Sequence, residues 1–289
     1  AHGVVVVPGV LLLEFLLAAG GRIGCEAVEE VMLHAPITPG DDEIELQVLV
    51  QAADESGRRQ FECFYRQSPD AGAEWVRNAT GVLAARPEHD TALLSRLRDE
   101  EWPPIDAELV DSSTLPEQIT EDTGLEYGPA FIGVQAVWER GDAVFSEVAL
   151  DTAAAPDPGR YEVHPALMEL VVHAGLSRLF FRHVNPQANT GWLLFRWGGA
   201  RFHRPMDDGR RPAGVTSLRV VAVRTGAESV AVAAVDGGGR PVLSVDAVVM
   251  RRYDVEEFRR GLSVEGAGLY RVGWEPVAAV SDDRHVPVL

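Results

Sequence analysis

No lysine occurs anywhere in the 289 residues; all 26 basic residues are arginine. A Schiff-base lysine, a pyridoxal phosphate anchor and a phosphate-gripping P-loop lysine are therefore excluded. Positive charge is scarce altogether. Those arginines face 44 Asp and Glu, for a formal net charge of −18. Nucleic acid and anionic membrane surfaces would repel such a chain and are not expected as partners. Cysteine is nearly absent too. Cys25 and Cys63 form no CxxC pair, so one disulfide is the maximum, and a reduced, cytoplasmic setting is expected. Several signatures are missing: GxGxxG with a following acid, HExxH, GxSxG and any metal-spaced His/Cys cluster. Nucleotide binding, zinc proteolysis and serine hydrolysis are disfavoured, and no metal is expected.

Only one apolar run has the length of a membrane span, GVVVVPGVLLLEFLLAAGG at 3–21. Pro8-Gly9 divides it, Glu14 interrupts it, and no basic flank marks it as a signal peptide. The expected reading is a short strand, GVVVV, then a buried helix led by Pro8. The rest is ordinary for a folded chain, 46% hydrophobic and 24% charged.

Three β-type runs follow that helix. EIELQVLVQA (43–52) and RRQFECFYRQ (58–67) alternate apolar and polar residues, and AEWVRNATGVLAA (73–85) looks like a third strand of the same antiparallel sheet. Residues 86–124 are rich in Asp, Glu, Pro and Ser and read as a linker with two short helices. Then the pattern repeats. FIGVQAVWERGDAVFSEVAL (131–150) is a hairpin turning at Arg140-Gly141-Asp142, and a second proline-led apolar helix spans 165–182. Strands follow near 193–203, 215–224, 228–235 and 241–253. Each half thus pairs a long apolar helix with an antiparallel sheet, an α+β arrangement.

The second helix lies in YEVHPALMELVVHAG (161–175) and carries Glu169 and His173 one turn apart on one face, with His164 and Pro165 at its start. Burying ionisable groups in so apolar a helix costs several kcal/mol unless they are paired, about the magnitude of an unmet polar transfer, so such a pair is either a structural couple or a site. LEYGPAFIGV (125–134) adds Tyr127-Gly128-Pro129, turn chemistry behind an aromatic. LLFRWGGARFHRP (193–205) has two glycines after Trp197, a mark of a bulge or a close backbone approach. His2 adjoins the first apolar run.

Taken in order, GVVVVPG (3–9), YGPAF (127–131), HPALMELVVHAG (164–175) and LLFRWGGARFH (193–203) resemble the dehydratase domain of modular type I polyketide synthases. The resemblance covers nearly the whole chain. GLYRVGWEPV (268–277) looks like the linker after such domains, which enters the structural part of a ketoreductase region. The resemblance implies a double-hotdog fold, two antiparallel sheets each wrapping a long central helix. It divides the chain into an N-terminal hotdog (1–105, without its expected opening strands), a linker (106–124), a C-terminal hotdog (125–256) and a post-dehydratase linker (257–289).

The implied substrate is a β-hydroxyacyl chain on the phosphopantetheine arm of an acyl carrier protein, with no other cofactor. The implied product is the α,β-unsaturated thioester, by syn-type elimination. In the family a His removes the α-proton and an Asp protonates the departing hydroxyl. The α-proton needs a close base, and hydroxide needs a general acid. Here Glu169 stands at the Asp position and His173 at the family's Gln/His position. Tyr127, Gly128, Pro129, Gly3, Pro8, His164 and Pro165 stand at substrate-lining positions. Gly3 and Pro8 keep the spacing of the family's HxxxGxxxxP motif, which puts its His two places before Ala1; His2, the catalytic candidate within the chain, is three residues out of register and serves only if the loop has been shortened. The altered acid keeps two other outcomes open: a double-bond isomerase or ring-forming domain, and a catalytically inactive structural domain. Implied partners are the carrier protein, other domains of the same synthase and a second copy in a homodimer. Arg201, Arg204, Arg210 and Arg211 form the expected arginine patch for an acidic carrier.

Overall fold

The computed structural model describes residues 5–39, 43–67, 74–85, 91–181, 190–203, 214–256 and 258. Helix α1 (Gly9–Gly21) starts one residue after Pro8, which occupies the N-cap position in extended conformation. The short strand expected ahead of it does not form over the described Val5–Val7. Val7 N–H instead donates one bond, 2.8 Å, to Ile37 O. Among the described residues no helix is long and apolar enough to cross a membrane.

Strands β2 (Glu45–Val50), β3 (Arg59–Arg66) and β4 (Val76–Ala84) follow the alternation in the sequence, with Phe61, Cys63 and Tyr65 of β3 turned into the core. Burial pushes the Cys63 thiol up to about 12, so it packs as a small hydrophobe rather than a nucleophile. The sequence reading missed β1 (Ala27–Leu33). Its apolar alternation is broken by Glu29-Glu30, and its register with β4 slips between Val28 and Glu30. This strand is the seam of the molecule. Val31 lies opposite Gly81 of β4 on one side and Trp197 of β8 (Thr190–Phe202) on the other.

The seam joins the two expected sheets edge to edge into one antiparallel sheet of 11 strands, ordered β2-β3-β4-β1-β8-β11-β10-β9-β7-β6-β5. The second half supplies β6 (Val134–Arg140), β7 (Ala143–Ala149), β9 (Ser217–Gly226), β10 (Ser229–Val235) and β11 (Pro241–Asp254). The β6–β7 hairpin turns at Gly141, whose φ of +59° suits a residue without Cβ. This is a double hotdog: α1 packs under β1, and α4 (Pro165–Gly175) under β6, β7, β9 and β10.

The segment read as a linker packs onto the second half. Its two expected helices are α2 (Ala92–Asp99) and α3 (Leu115–Thr123), and a short edge strand, β5 (Glu108–Val110), lies between them. Leu94 and Leu97 of α2 meet Phe145, Val221 and Ala233 on the outer face of the sheet. Val220, Ala222 and Val232 face the other way, into the main core with α4. Burial on both faces explains why β10 reads as the continuous apolar run VAVAAV. At Gly199 it is a side chain that comes close to the backbone: its φ is +62° and a Cβ would sit 2.0 Å from Asp246 Oδ2.

Candidate active site

Helix α4 begins with His164 at the N-cap, its Nδ1 accepting from Ala166 N–H at 3.1 Å, and Pro165 in the first turn, where no N–H is missed. Ten of its eleven residues are buried; the exception is Glu169. Each fully buried Leu or Val there contributes about 1.5–3 kcal/mol, so the helix is held from all sides and Glu169 is presented on a rigid mount. Its side chain is 15% exposed and that of His173, one turn on, 5%.

Two side chains converge on one oxygen of that carboxylate. Tyr127 donates its hydroxyl to Glu169 Oε1 at 3.2 Å. His173 Nε2 stands 3.7 Å from the same oxygen, longer than a hydrogen bond. The rings of Tyr127 and His173 meet edge to face, centroids 4.7 Å apart. Oε2 of Glu169 has no such contact among the described residues. Burial, then the negative charge of Glu169 and the hydrogen bond given to it, hold the Tyr127 hydroxyl well above the usual phenol range. Tyr127 is therefore a neutral donor at any physiological pH.

The trio opens onto a cavity of about 1220 Å³ between the halves. From the first half it is walled by Val5–Gly9, Leu33–Ile37 and Asn78; from the second by Gly128, Phe131, Trp192–Phe195, Trp197 and Met250–Asp254. Two histidines line it among the described residues. One is His173, and the other, His34, bonds through Nε2 to Thr80 Oγ1 at 2.8 Å. Ile119, Tyr127, Phe131 and His173 also wall a neighbouring cavity of about 680 Å³, so Tyr127 and His173 stand in a partition while Glu169 faces the main cavity alone. Three buried polar atoms on the main wall lack a hydrogen-bond partner among the described residues: Asn78 Oδ1, His173 Nε2 and Trp197 Nε1. Each costs about 1–3 kcal/mol while unpaired, and such costs collect where a ligand is meant to make the bond.

The sequence-derived residues divide clearly. Tyr127, Gly128, Glu169, His173 and Pro8 line the main cavity. Pro129 opens the short turn 129–131 beside it. His164 and Pro165 lie on a separate pocket of about 360 Å³, where Tyr161 stacks edge-on against His164. His2 and Gly3 lie outside the described residues, as do Arg204, Arg210 and Arg211. Arg201 does not form a docking patch: it is 6% exposed and tied to Asp246 Oδ2 at 2.7 Å. Among the described residues the arginines that reach the cavity are Arg251 and Arg252, laid over the rings of Phe195 and Trp192 at 5.1 and 4.9 Å. The adjacent arginines in MRRYD, at the end of a strand pattern, were their only trace in the sequence.

Known proteins resemble this chain in sequence and fold. Residues 96–260 match the family model described as "Polyketide synthase dehydratase N-terminal domain", and residues 1–66 match "Polyketide synthase dehydratase domain". Polyketide synthase GfsA of Streptomyces halstedii is 36% identical over 278 residues, 96% of this chain and 4% of that protein. The chain thus spans a small part of the curated relatives it matches, which are multidomain synthases. Among solved structures, a dehydratase studied for substrate selection in the borrelidin and fluvirucin polyketide synthases is 34% identical with a TM-score of 0.71, covering 86% of this chain and 81% of that one. The erythromycin dehydratase is 32% identical with a TM-score of 0.71, covering 86% and 83%.

Proposed function

The chain belongs to the polyketide synthase dehydratase family, and from that premise we propose that it eliminates water from a β-hydroxyacyl thioester, with Glu169 as the acid. The observation that carries this reading is the convergence of Tyr127 and His173 on Oε1 of the one α4 residue that is not fully buried. With Oε1 occupied, Oε2 is the oxygen positioned to hold the transferable proton. As the base takes the α-proton, the electron pair forms the carbon–carbon double bond, the C–O bond breaks, and Oε2 delivers its proton so that water leaves. The base in this reading would be the histidine of the family's HxxxGxxxxP motif, whose GxxxxP spacing Gly3 and Pro8 keep. Tyr127, fixed in its neutral form, orients the carboxyl and stands where it can meet the substrate hydroxyl.

Glu at this position has one methylene more than the family's Asp, and misplacement by about 1 Å costs on the order of 100-fold in rate. The contact from Tyr127 compensates by fixing the longer arm. The acyl chain arrives on the phosphopantetheine of a carrier protein. An acidic carrier docks at the cavity mouth on Arg251 and Arg252, whose guanidiniums are held by ring stacking. In this reading the domain works in the cytoplasm, as a homodimer within the larger synthase.

The deciding experiment uses the full-length protein and a β-hydroxyacyl carrier-protein thioester, followed by mass spectrometry. Elimination appears as loss of one water. Glu169→Gln lowers turnover by at least about 100-fold, the usual contribution of a positioned acid, and Glu169→Asp keeps or raises it. Full turnover in Glu169→Gln would remove Glu169 from the role. An ultraviolet change on an unsaturated substrate with no mass change would replace dehydration by isomerisation, and silence with every substrate would leave a structural domain.

A further inference from the structure

Asn78 sits at a break in the β3–β4 ladder. Cys63 pairs with Ala79 and Phe64 with Arg77, so Asn78 is the extra residue of a β-bulge. As a result Asn78 and Ala79 are both buried in succession, where strict alternation would turn one of them outward. The bulge sets the side chain into the wall of the main cavity, 4% exposed. Its Nδ2 donates to Ala35 O, which fixes the orientation of the amide because a carbonyl only accepts. Oδ1 is therefore a buried acceptor turned away from that bond, with no partner among the described residues.

Its surroundings show what kind of donor would reach it. The backbone carbonyl of Asn78 accepts from His34 N–H at 2.8 Å, and His34 is exposed. Asn78 thus lies where the first-half wall runs out to solvent, on the opposite half from Tyr127, Glu169 and His173. A group passing that point on its way to Glu169 belongs to the arm that carries the acyl chain, not to the acyl chain's reacting end. We propose that Asn78 Oδ1 accepts a hydrogen bond from an amide N–H of that arm, and so sets how deeply the thioester is inserted. This rests on the reading of the cavity as a carrier-arm site and adds the residue and atom that recognise the arm.

The test uses two thioether analogues of the arm in the full-length protein, identical except that an ester oxygen replaces the amide nitrogen nearest the sulfur in one and the farther nitrogen in the other. Both are compared by calorimetry with the parent pantetheine thioether. The wild type should bind at least one ester form about tenfold more weakly, the worth of one hydrogen bond to a buried acceptor. Asn78→Leu should erase that difference, and Asn78→Ser, a smaller change at the bulge, should erase it if the Leu variant does not fold. Equal binding of all three ligands by the wild type, no binding of any, or a full preference kept in a folded Asn78→Leu or Asn78→Ser would each overturn the proposal. Turnover is read separately. Amide-dependent binding without dehydration would sustain Asn78 and sink the proposed reaction. Dehydration without an amide preference would do the reverse.

Discussion

The two central helices are near copies in pattern and opposites in chemistry. Each is apolar, follows a proline or starts at one, and carries one glutamate in its interior. Glu14 of α1 is 3% exposed, and its Oε1 accepts from Glu162 N–H at 2.8 Å, in the turn leading to α4. That carboxylate fastens one half of the molecule to the other. Glu169 of α4 is met instead by a phenol and an imidazole and opens on a cavity. A buried carboxylate in an apolar helix therefore does not identify a site. Its partners do: a backbone N–H fixes structure, whereas titratable side chains beside a cavity leave a proton free to move.

The comparison breaks most sharply on stability. Glu14→Ala takes the acceptor from the half-buried Glu162 N–H and opens space in the core, and should cost about 2–3 kcal/mol. Glu169→Ala removes one hydrogen bond beside an open cavity and should cost less than about 1 kcal/mol. Urea denaturation of both variants checks this. Equal losses would mean that Glu169 is a structural residue as well.

Much of this was readable from the sequence because it is local. Glu169 and His173 share a face by spacing alone, and the proline-led helices and the alternation of β3 need no partner to be seen. What escaped depends on pairing. In β1, Glu29-Glu30 hides the inward positions, and only its register with β4 and β8 shows Val31 as a seam residue. Asn78 looks like a solvent-facing strand residue until the ladder is seen to skip it. Arg201 reads with Arg204, Arg210 and Arg211 as one arginine patch, yet Asp246, 45 residues away, claims it. Local periodicity reports a face. It does not report a bulge, because a bulge is a property of two strands.

A sharper form of the comparison removes the partner and leaves the carboxylate. Tyr127→Phe keeps the ring that packs on His173 and deletes only the hydroxyl given to Glu169. Turnover should fall about 10- to 100-fold with stability changed by less than about 1 kcal/mol, one lost hydrogen bond at a reacting group. Unchanged turnover would show that Glu169 works without the Tyr127 hydroxyl.

The smallest expected effect lies in how the two helices begin. Pro8 gives α1 no side-chain cap, whereas His164 caps α4 through Nδ1. Burial holds the His164 imidazole below its ordinary range. As pH falls below about 6.5, the unfolded chain takes up a proton that the folded His164 resists, so this contribution is present above that pH and is lost below it. The protonated ring also loses the lone pair that accepts Ala166 N–H. His164→Ala should cost about 1 kcal/mol at pH 7, a typical cap. His164→Asn should keep the cap without titrating, so its stability should be flatter than the wild type's between pH 7 and about 5.5, the span just below an unperturbed imidazole. Thermal melts of the three proteins across that span would show it: parallel curves for the wild type and the His164→Asn variant would remove the titration of His164 from the account, and an unchanged melt for His164→Ala would mean that α4, like α1, begins without help from a side-chain cap.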